Sequence, residues 1–365
     1  MITCRAPGKL FIAGEYAVVE PGHHAVLAAV DRYVTATVTA AAETTLHADL
    51  EGGVTLSCRR SGDRLIPSGA GVPAAFDYLF AAAVTVDRLL AERGIAHRPH
   101  RLSIGSELAD ADGRKFGLGA SAAVTVAAVA ALATFYGLEL GLMDRYRLAM
   151  LATVSVNPRA SGGDVAASTW GGWIAYASPD RRLVAELAAA EGIDAALSAS
   201  WPGLSVRSLP APTGLAMRVG WTGKPASTPE LVAGLRDRRG RIGEHTAFLA
   251  HSDDCVRRLV SAFDADDSAG IGAEIHCART LLTDLDAAAG LGIMTPGLLA
   301  LCAAGDAVGA AAKPSGAGGG DCGIALIDRT RDTAIAELTD RWVGAGIRPL
   351  PLRIHPFEPE RRSHP

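Results

Sequence analysis

The sequence feature that most constrains the fold is an uncharged run at residues 116–138, which is rich in alanine and begins with Gly117 and Gly119. The run is long enough to be tested as a membrane-spanning helix. Its opening glycines, its many alanines and its serine and threonine side chains argue against a span. We therefore predict a buried core helix that begins near Ala120 and ends near Gly137, and we expect no membrane partner.

The segment KFGLGASAAV, residues 115–124, introduces this helix. Its glycines let the backbone turn tightly and approach a ligand closely, and Ser121 is a favourable N-cap residue. The first N–H groups of a helix lack intrahelical partners and lie at the positive end of its dipole, so they bind anions. The segment predicts a phosphate site, with a structural glycine turn as the alternative.

Lysine is scarce in this chain. The 35 Lys and Arg residues include only four lysines, Lys9, Lys115, Lys224 and Lys313, and all four lie in or beside glycine-containing segments. Arginine supplies the remaining positive charge. Positions that keep the compact, flexible ammonium group are therefore candidates for phosphate contacts.

A further glycine-rich segment is KPSGAGGGDCGIAL at residues 313–326. Gly318, Gly320 and Gly323 formally match GxGxxG, but a helical pattern precedes them and a strand follows. This order is the reverse of the dinucleotide-binding arrangement. No GxxxxGK[ST] phosphate loop occurs in the chain either. Because a simple turn does not need so many glycines, we predict a functional loop here.

The composition is typical of a globular enzyme. Apolar residues make up 49% and charged residues 20%, and the formal net charge is −4, so nucleic acid is not an expected partner. The six cysteines show no CxxC pair and no zinc-finger spacing, which is typical of free thiols in a reducing cytoplasm. Charged residues near the start interrupt any signal-peptide core, so we expect a cytoplasmic protein.

Strand and helix patterns divide the chain into two blocks. Strands precede helices in each block, which predicts an α+β protein rather than a regular βαβ array. The proline-containing residues 178–210 indicate the boundary. We predict domains at residues 1–190 and 191–355, followed by a disordered tail at 356–365.

Three segments resemble, in the same order, the signature motifs of the GHMP small-molecule kinases. They are RAPGKLFIAGEYAVV (residues 5–19), KFGLGASAAV and KPSGAGGGDCGIAL, and the resemblance covers nearly the whole chain. The resemblance implies the GHMP kinase fold, with an N-terminal domain like ribosomal protein S5 domain 2 and a ferredoxin-like C-terminal domain. It also implies an enzyme that uses ATP and Mg²⁺.

Within this superfamily the chain looks most like the bacterial-type phosphomevalonate kinases, especially in GKLFIAGEYAVVEPG, VGWTGKPAST and RWVGAGIRPL. That likeness implies transfer of the γ-phosphoryl group of ATP to 5-phosphomevalonate in isoprenoid biosynthesis. Mevalonate kinases are an alternative, because SGGDVAASTWGG (161–172) resembles their aspartate motif. Their metal-binding Glu has no counterpart in ATVSVNPRAS (152–161), which contains no acid. A non-catalytic ligand sensor is the other alternative.

The resemblance implies roles for individual residues. Lys9, Lys115 and Asp164 match the catalytic positions, with Ser121 and Asp164 as the expected metal ligands. The ATP phosphates are expected on Gly117, Leu118, Gly119, Ala120, Ser121 and Ala122. The expected substrate contacts are Lys9, His23, Ser161, Lys224, Ser227, Thr228, Ser315, Gly316, Ala317 and Gly318.

Asp164 is not expected to act as a strong base toward a phosphate acceptor. A phosphate monoester has a second pKa of about 6 and is already largely a dianion at neutral pH. We expect Asp164 to orient a lysine or to hold magnesium through water, whereas a hydroxyl acceptor would need it as a base. For the oligomeric state we expect either a monomer or a homodimer.

Overall fold

The computed structural model of the protein describes residues 1–49, 53–62, 64–69, 71–224 and 245–358. The strands are β1 (Ile2–Ala13), β2 (His24–Ala40), β3 (Thr44–Ala48), β4 (Val54–Ser61), β5 (Arg64–Pro67), β6 (His100–Ser106), β7 (Trp173–Ala177), β8 (Ser205–Leu209), β9 (Leu215–Trp221), β10 (Ala311–Pro314), β11 (Cys322–Asp328) and β12 (Arg348–Leu350). The helices are α1 (Asp77–Glu92), α2 (Ala120–Tyr136), α3 (Leu142–Val156), α4 (Gly163–Trp170), α5 (Arg181–Ala190), α6 (Ile193–Ser198), α7 (His245–Asp264), α8 (Ser268–Ala289), α9 (Pro296–Ala307) and α10 (Asp332–Gly344).

The larger sheet is organised around the long strand β2. Strand β1 pairs antiparallel with β2 along one edge, from Ile2 opposite Val38 to Ala13 opposite Val26. The other edge of β2 is shared by β6 and β7, each paired antiparallel with one half of the strand. The remaining described strands extend the sheet in the order β5-β4-β3-β6 on one side and β7-β8 on the other.

The two halves of β2 differ in burial, as their residues predict. From Tyr33 to Val38 buried and partly buried residues alternate, which is the pattern of a strand with one face on the core. Residues 25–30 are all buried. Helix α7 of the second domain contacts β2, and its Asp253 accepts a hydrogen bond from the N–H of His24 at the start of this half.

Helix α2 forms the centre of the first domain. It contacts α1, α3 and α4 as well as β1 and β2. Its small alanine side chains let these neighbours approach closely, and Ala127, Ala128 and Ala131 are fully buried. The predicted buried helix is therefore confirmed, beginning at Ala120 and ending at Tyr136. In the described part of the chain, every helix is too short or too polar to cross a bilayer.

The smaller sheet has the order β10-β11-β9-β12, and each of its pairs is antiparallel. In chain order, β9 is followed by helices, the hairpin β10–β11, helix α10 and then β12. This β-α-β-β-α-β sequence with the first and third strands at the centre is the ferredoxin-like arrangement. The α+β class and the ferredoxin-like C-terminal domain are as predicted.

The boundary between the domains lies beyond the predicted residue 190. Strand β8 pairs with β7, from Trp173 opposite Leu209 to Ala177 opposite Ser205, and so belongs to the larger sheet. Strand β9 is the first element of the smaller sheet. We propose that the domains divide between β8 and β9, because β8 is the last strand of the larger sheet and β9 is the first strand of the smaller sheet.

The start of the predicted disordered tail is ordered. The N–H of Glu358 donates to the carbonyl of Trp170 at 2.8 Å, and Phe357 packs on the core of the first domain. Gly171 and Gly172 have φ of 70° and 63°, and a side chain on either would collide with residues 355–357. The prediction of disorder is therefore wrong for residues 356–358, and residues 359–365 lie outside the described part.

Candidate active site

A cavity of about 1060 Å³ lies between the two domains, and all three predicted motifs contribute to its walls. The first domain contributes residues from β1, the start of α2, the end of α3 and the start of α4. The second contributes residues of the 313–326 segment. Its lining includes Lys9, Phe11, Glu15, Tyr16, Tyr78, Lys115, Gly117, Leu118, Gly119, Ala120, Ser121, Ala122, Thr153, Asn157, Arg159, Ser161, Asp164, Gly316, Ala317 and Asp321.

The start of α2 is capped by Gly119 rather than by Ser121, so the predicted role of Ser121 as N-cap is wrong. Gly119 adopts a left-handed conformation with φ of 77°, and no side chain caps the helix. Ser121 lies within the first turn and is exposed. The first N–H groups of α2 have no intrahelical acceptors and lie at the cavity wall, which is the arrangement of an anion site.

The glycines of this loop allow two close approaches. A Cβ on Gly119 would lie 2.8 Å from Cε of Lys9, and one on Gly117 would lie 2.4 Å from Cγ of Asp321. Both glycines also have positive φ, which disfavours any other residue. The loop thus brings a lysine of β1 and a carboxylate of the second domain against the start of α2.

The two predicted catalytic lysines reach the cavity in different ways. The backbone N–H of Lys9 donates to the carbonyl of Leu118 at 2.9 Å, and the residue is only 8% exposed. Its Nζ lies 5.3 Å from the centre of the Phe11 ring. Lys115 precedes the glycine loop and is exposed at the cavity mouth. One ammonium group is therefore held by packing, and the other is free to move.

Asp164 lies in the first turn of α4, and its Oδ1 accepts a hydrogen bond from the N–H of Val165 at 3.0 Å. The loop before it is held by a pair of buried tyrosines. Tyr176 donates to the carbonyl of Ser161 at 2.6 Å, and the Tyr146 hydroxyl lies 2.8 Å from that of Tyr176. Burial raises the pKa of Tyr176, so its hydroxyl keeps the proton that it donates.

A glycine makes this contact possible. Gly162 has φ of 83°, and a Cβ there would lie 2.7 Å from the Tyr176 hydroxyl and 2.6 Å from the sulfur of Met150. We call Tyr146, Tyr176 and the Ser161 carbonyl the tyrosine relay. Sequence reasoning identified Ser161 and Asp164 but missed the relay, because the two tyrosines come from α3 and β7.

A buried ion pair joins the two domains beside the cavity. Lys313 on β10 is fully buried, and its Nζ lies 2.5 Å from Oε1 of Glu15 in the loop after β1. The same carboxylate oxygen accepts the N–H of Gly316 at 3.3 Å. The prediction that Lys313 contacts a phosphate is therefore wrong. An isolated acid within the apolar segment FIAGEYAVV was the signal that Glu15 needed a buried partner.

Two further contacts attach the 313–326 segment to the first domain. Ser315 donates to the carbonyl of Phe11 at 2.9 Å, and Tyr16 donates to the carbonyl of Ala317 at 2.6 Å. Burial raises the pKa of Tyr16, and the nearby carboxylates of Asp286 and Glu15 add to the rise. The phenol therefore stays protonated as a donor.

The predicted substrate residues separate into three groups. Lys9, Ser161, Gly316 and Ala317 line the cavity, whereas Ser315, Gly318, Lys224 and His23 are absent from its described lining. Ser227 and Thr228 lie outside the described residues. His23 is instead paired with Asp253, its Nδ1 lying 2.7 Å from Oδ2. His23, which was predicted to contact the substrate, therefore contacts Asp253 on α7 instead.

Sequence reasoning also missed several lining residues. Tyr78, Asn157, Arg159 and Asp321 all line the cavity. Asp321 follows the glycines of its loop and has φ of 50°, an uncommon conformation for a residue other than glycine. Arg159 lies in segment 152–161, which contains no acid. It adds a positive charge to this part of the lining.

Comparison with known proteins places the chain in a family. The model of the GHMP kinases N terminal domain matches residues 77–172, and that of the GHMP kinases C terminal domain matches residues 259–344. A phosphomevalonate kinase of Streptomyces sp. (strain CL190) is 52% identical over 96% of each chain. The chain belongs to the GHMP kinase family. The resemblance seen in its three motifs is thereby confirmed.

Two further relatives of this GHMP kinase are informative. The solved structure of Streptococcus pneumoniae phosphomevalonate kinase in complex with phosphomevalonate and AMPPNP has a TM-score of 0.85 at 29% identity, covering 97% of this chain and 100% of that chain. A mevalonate kinase of Aeropyrum pernix is 28% identical, covering 88% of this chain and 87% of its own. The overall similarity thus favours the phosphomevalonate kinases.

Replacing Lys313 by Met tests the buried ion pair. The variant leaves the Glu15 carboxylate buried without its cation, so we expect the free energy of unfolding to fall by about 3–5 kcal/mol. The double variant Lys313→Met with Glu15→Gln removes the unpaired charge and should recover most of this loss. Urea unfolding measures both variants.

The matched control is Arg341→Met, which breaks the exposed Arg341–Glu337 pair on α10. It should change the unfolding free energy by about 0.5 kcal/mol or less. A Lys313→Met variant as stable as this control would show that the buried pair does not hold the domains.

Replacing Tyr176 by Phe tests the tyrosine relay. The change leaves the Ser161 carbonyl without its donor and loosens the loop that carries Asp164, so we expect kcat to fall about tenfold. The control Tyr136→Phe removes another buried hydroxyl, which donates to the carbonyl of Arg98 at 2.9 Å away from the described cavity lining. Both variants should lose similar stability, and an equal loss of kcat in both would contradict a positioning role.

Proposed function

We propose that this chain transfers the γ-phosphoryl group of ATP to 5-phosphomevalonate, forming 5-diphosphomevalonate and ADP. The observation that carries the proposal is 52% identity to a phosphomevalonate kinase over 96% of both chains. A phosphomevalonate kinase of the same fold is known in complex with phosphomevalonate and AMPPNP. The reaction belongs to the mevalonate pathway.

The positive charges of the cavity suit a reaction between two polyanions. Phosphoryl transfer depends mainly on positioning the reactants and on neutralising their charge. Lys9, held against the start of α2, supplies a fixed cation, and Lys115 supplies a mobile one at the mouth. Arg159 is a third cation in the lining. Together they would offset the repulsion between the ATP phosphates and the acceptor phosphate.

The ATP phosphates bind at the start of α2 in this proposal. Residues 117–122 present a glycine turn followed by N–H groups without intrahelical acceptors. The acceptor then lies toward Ser161 and the loop that contains Gly316 and Ala317, all of which line the same cavity. His23, Lys224, Ser315 and Gly318 are not part of this proposal, because they are absent from the described lining.

Asp164 acts in this proposal by orientation rather than as a strong base. The terminal oxygen of a phosphate monoester is already largely deprotonated at neutral pH, since its second pKa is about 6. The carboxylate, which follows the loop held by the tyrosine relay, can instead orient an ammonium group. The acceptor oxygen attacks the γ-phosphorus, the bond to the β,γ-bridging oxygen breaks, and ADP leaves.

Magnesium is the expected metal cofactor, and the donor set fits it. Mg²⁺ prefers oxygen ligands and usually combines one or two protein carboxylates with substrate phosphates and waters. Asp164 and the exposed Ser121 hydroxyl would hold it at the cavity wall. When bound, the ion would neutralise charge on the ATP phosphates.

Mevalonate kinase activity is the second candidate, because the Aeropyrum pernix relative carries that name. The end of α3 argues against it. The cavity is lined there by Thr153 and Asn157, with no acid in segment 152–161 to match the metal-binding Glu expected of mevalonate kinases. A cytoplasmic location and a monomeric or homodimeric state stay predictions.

The deciding experiment compares ADP release by the purified protein with 5-phosphomevalonate and with mevalonate, in the presence of ATP and magnesium. We expect turnover with the phosphorylated acceptor and at least about a hundredfold lower kcat/KM with mevalonate, a difference of about 2.7 kcal/mol. Turnover with mevalonate alone would overturn the proposal and make Asp164 the general base. Binding of both substrates without turnover would favour a ligand sensor.

Replacing Lys115 by Met tests the role of the mobile ammonium group. We expect kcat to fall by about a hundredfold or more, because charge on the transferring group is no longer neutralised. Thermal unfolding should be unchanged, since Lys115 is exposed.

The control Arg101→Met removes one exposed positive charge from β6, which lies outside the described lining. It should keep wild-type kcat. A Lys115→Met variant with the same kcat as this control would remove Lys115 from the mechanism.

A further inference from the structure

A cluster of two thiols and a carboxylate lies between α7 and α8, away from the described cavity lining. The Sγ atoms of Cys255 and Cys277 and a carboxylate oxygen of Glu274 all lie within 4.8 Å of one another. Cys255 comes from α7, and the other two come from α8. Among the described residues, no other group of three His, Cys, Asp or Glu ligand atoms is comparably close.

Helical periodicity explains why these residues meet. Glu274 and Cys277 are three positions apart on α8, so both side chains face α7. Cys255 and Arg258 have the same spacing on α7. Cys255 is 1% exposed, whereas Glu274 and Cys277 are half-buried. One side of the cluster is therefore dry and the other is open to water.

The guanidinium of Arg258 lies beside the cluster and contacts two of its members. Its Nε donates to Oε1 of Glu274 at 2.6 Å and its Nη2 to Oε2 at 2.9 Å. Nη2 also lies 3.6 Å from the sulfur of Cys277. Each carboxylate oxygen can accept more than one contact, so these bonds leave lone pairs for a further partner.

We propose that Cys255, Glu274 and Cys277 bind a thiophilic divalent cation, zinc above all. Two thiolates, one carboxylate and a divalent ion have a net charge of −1. Arg258 neutralises this charge while it donates hydrogen bonds to the carboxylate of Glu274. Binding releases two thiol protons to solvent, and a water completes the tetrahedron on the open side. Soft sulfur ligands favour zinc over magnesium, so the site would not compete for the ATP-bound ion.

The distances fit a single ion. Zinc holds sulfur at about 2.3 Å and carboxylate oxygen at about 2.0–2.2 Å, so in a tetrahedral site its ligand atoms lie about 3.5–3.8 Å from one another. The three ligand atoms lie within 4.8 Å of one another, so side-chain rotations must bring them closer by up to about 1 Å to meet a tetrahedral ion. The spacing of cysteines in the sequence did not indicate this site, because its ligands come from two helices.

A cation here would fasten two helices that contact both domains. Helix α7 contacts β2 of the first domain, and α8 contacts β10 of the second. Leu282 and Leu285 of α8 also pack with Tyr16 in one apolar cluster. The proposed site would therefore stabilise the helical hairpin against which the two domains meet.

The test titrates the reduced, metal-free full-length protein with Co²⁺ and then with Zn²⁺. Thiolate-to-cobalt charge-transfer absorption should appear at one Co²⁺ per chain, and Zn²⁺ should abolish it. Cobalt must displace the protons of the two thiols in order to bind. Apparent affinity should therefore rise by about tenfold to a hundredfold per pH unit below neutrality. Zn²⁺ should also raise the thermal unfolding midpoint, and a chelator should reverse the shift.

Two variants assign the ligands. Cys277→Ser should remove the charge-transfer band and the Zn²⁺-dependent shift, and Glu274→Gln should weaken Co²⁺ binding at least tenfold. Because Cys277 and Glu274 are half-buried, at least one of these variants should fold. The control Cys4→Ser, a half-buried cysteine on β1, should bind like the wild type.

Three results would overturn the proposal. The first is no cobalt–thiolate absorption in the fully reduced protein. The second is an unchanged band in both variants, which would place the ion elsewhere. The third is a thermal shift with Zn²⁺ that persists in both variants. Kinase activity is not a readout, so failure of this proposal leaves the proposed phosphoryl transfer untouched.

Discussion

The buried contact between Lys313 and Glu15 is the interaction on which the geometry of the site depends. It joins β10 of the second domain to the loop after β1, with the lysine fully buried and the two atoms 2.5 Å apart. A charge so far from water is tolerated only when it is paired and hydrogen-bonded. The segment that follows Lys313 is therefore held against the first domain, where Gly316 and Ala317 become part of the cavity wall.

Three glycines allow side chains from other parts of the chain to approach the backbone of the site closely. Gly119 leaves room for Lys9, Gly117 leaves room for Asp321, and Gly162 leaves room for the Tyr176 hydroxyl. Each has positive φ, so each combines a turn with an approach that no other residue would permit. The alanine-rich α2 extends this principle into the core, where small side chains let three helices and two strands pack on one helix.

The charge distribution of the cavity fits the chemistry of a phosphate acceptor. Two lysines and Arg159 line it together with the carboxylates of Glu15, Asp164 and Asp321. The end of α3 presents Thr153 and Asn157 where mevalonate kinases are expected to carry an acid. An acceptor that is already anionic needs neutralising cations more than a strong base. In the proposed reaction the tyrosine relay holds the Ser161 carbonyl and so steadies the loop before Asp164.

Much of this protein could be predicted from sequence because the signals were local. The uncharged, glycine-preceded run predicted α2, which the structure confirms, and an anion site at its start, which stays a prediction. The ordered glycine motifs indicated the GHMP kinase family, and the scarcity of lysine pointed to Lys9 and Lys115. Helix and strand periodicity determined the α+β class, since it depends on neighbours a few residues apart.

Only the tertiary structure decided contacts between residues far apart in sequence. Glu15 and Lys313 are 298 residues apart, and Tyr176 lies 15 residues from the carbonyl that it holds. The same lysine scarcity that identified Lys9 misassigned Lys313, because composition cannot distinguish a buried ion pair from a phosphate contact. The cysteines showed no metal-binding spacing, and it was the packing of α7 on α8 that brought Cys255 to Glu274 and Cys277. Local propensity acts over a few residues, whereas a site is assembled wherever packing makes distant side chains neighbours.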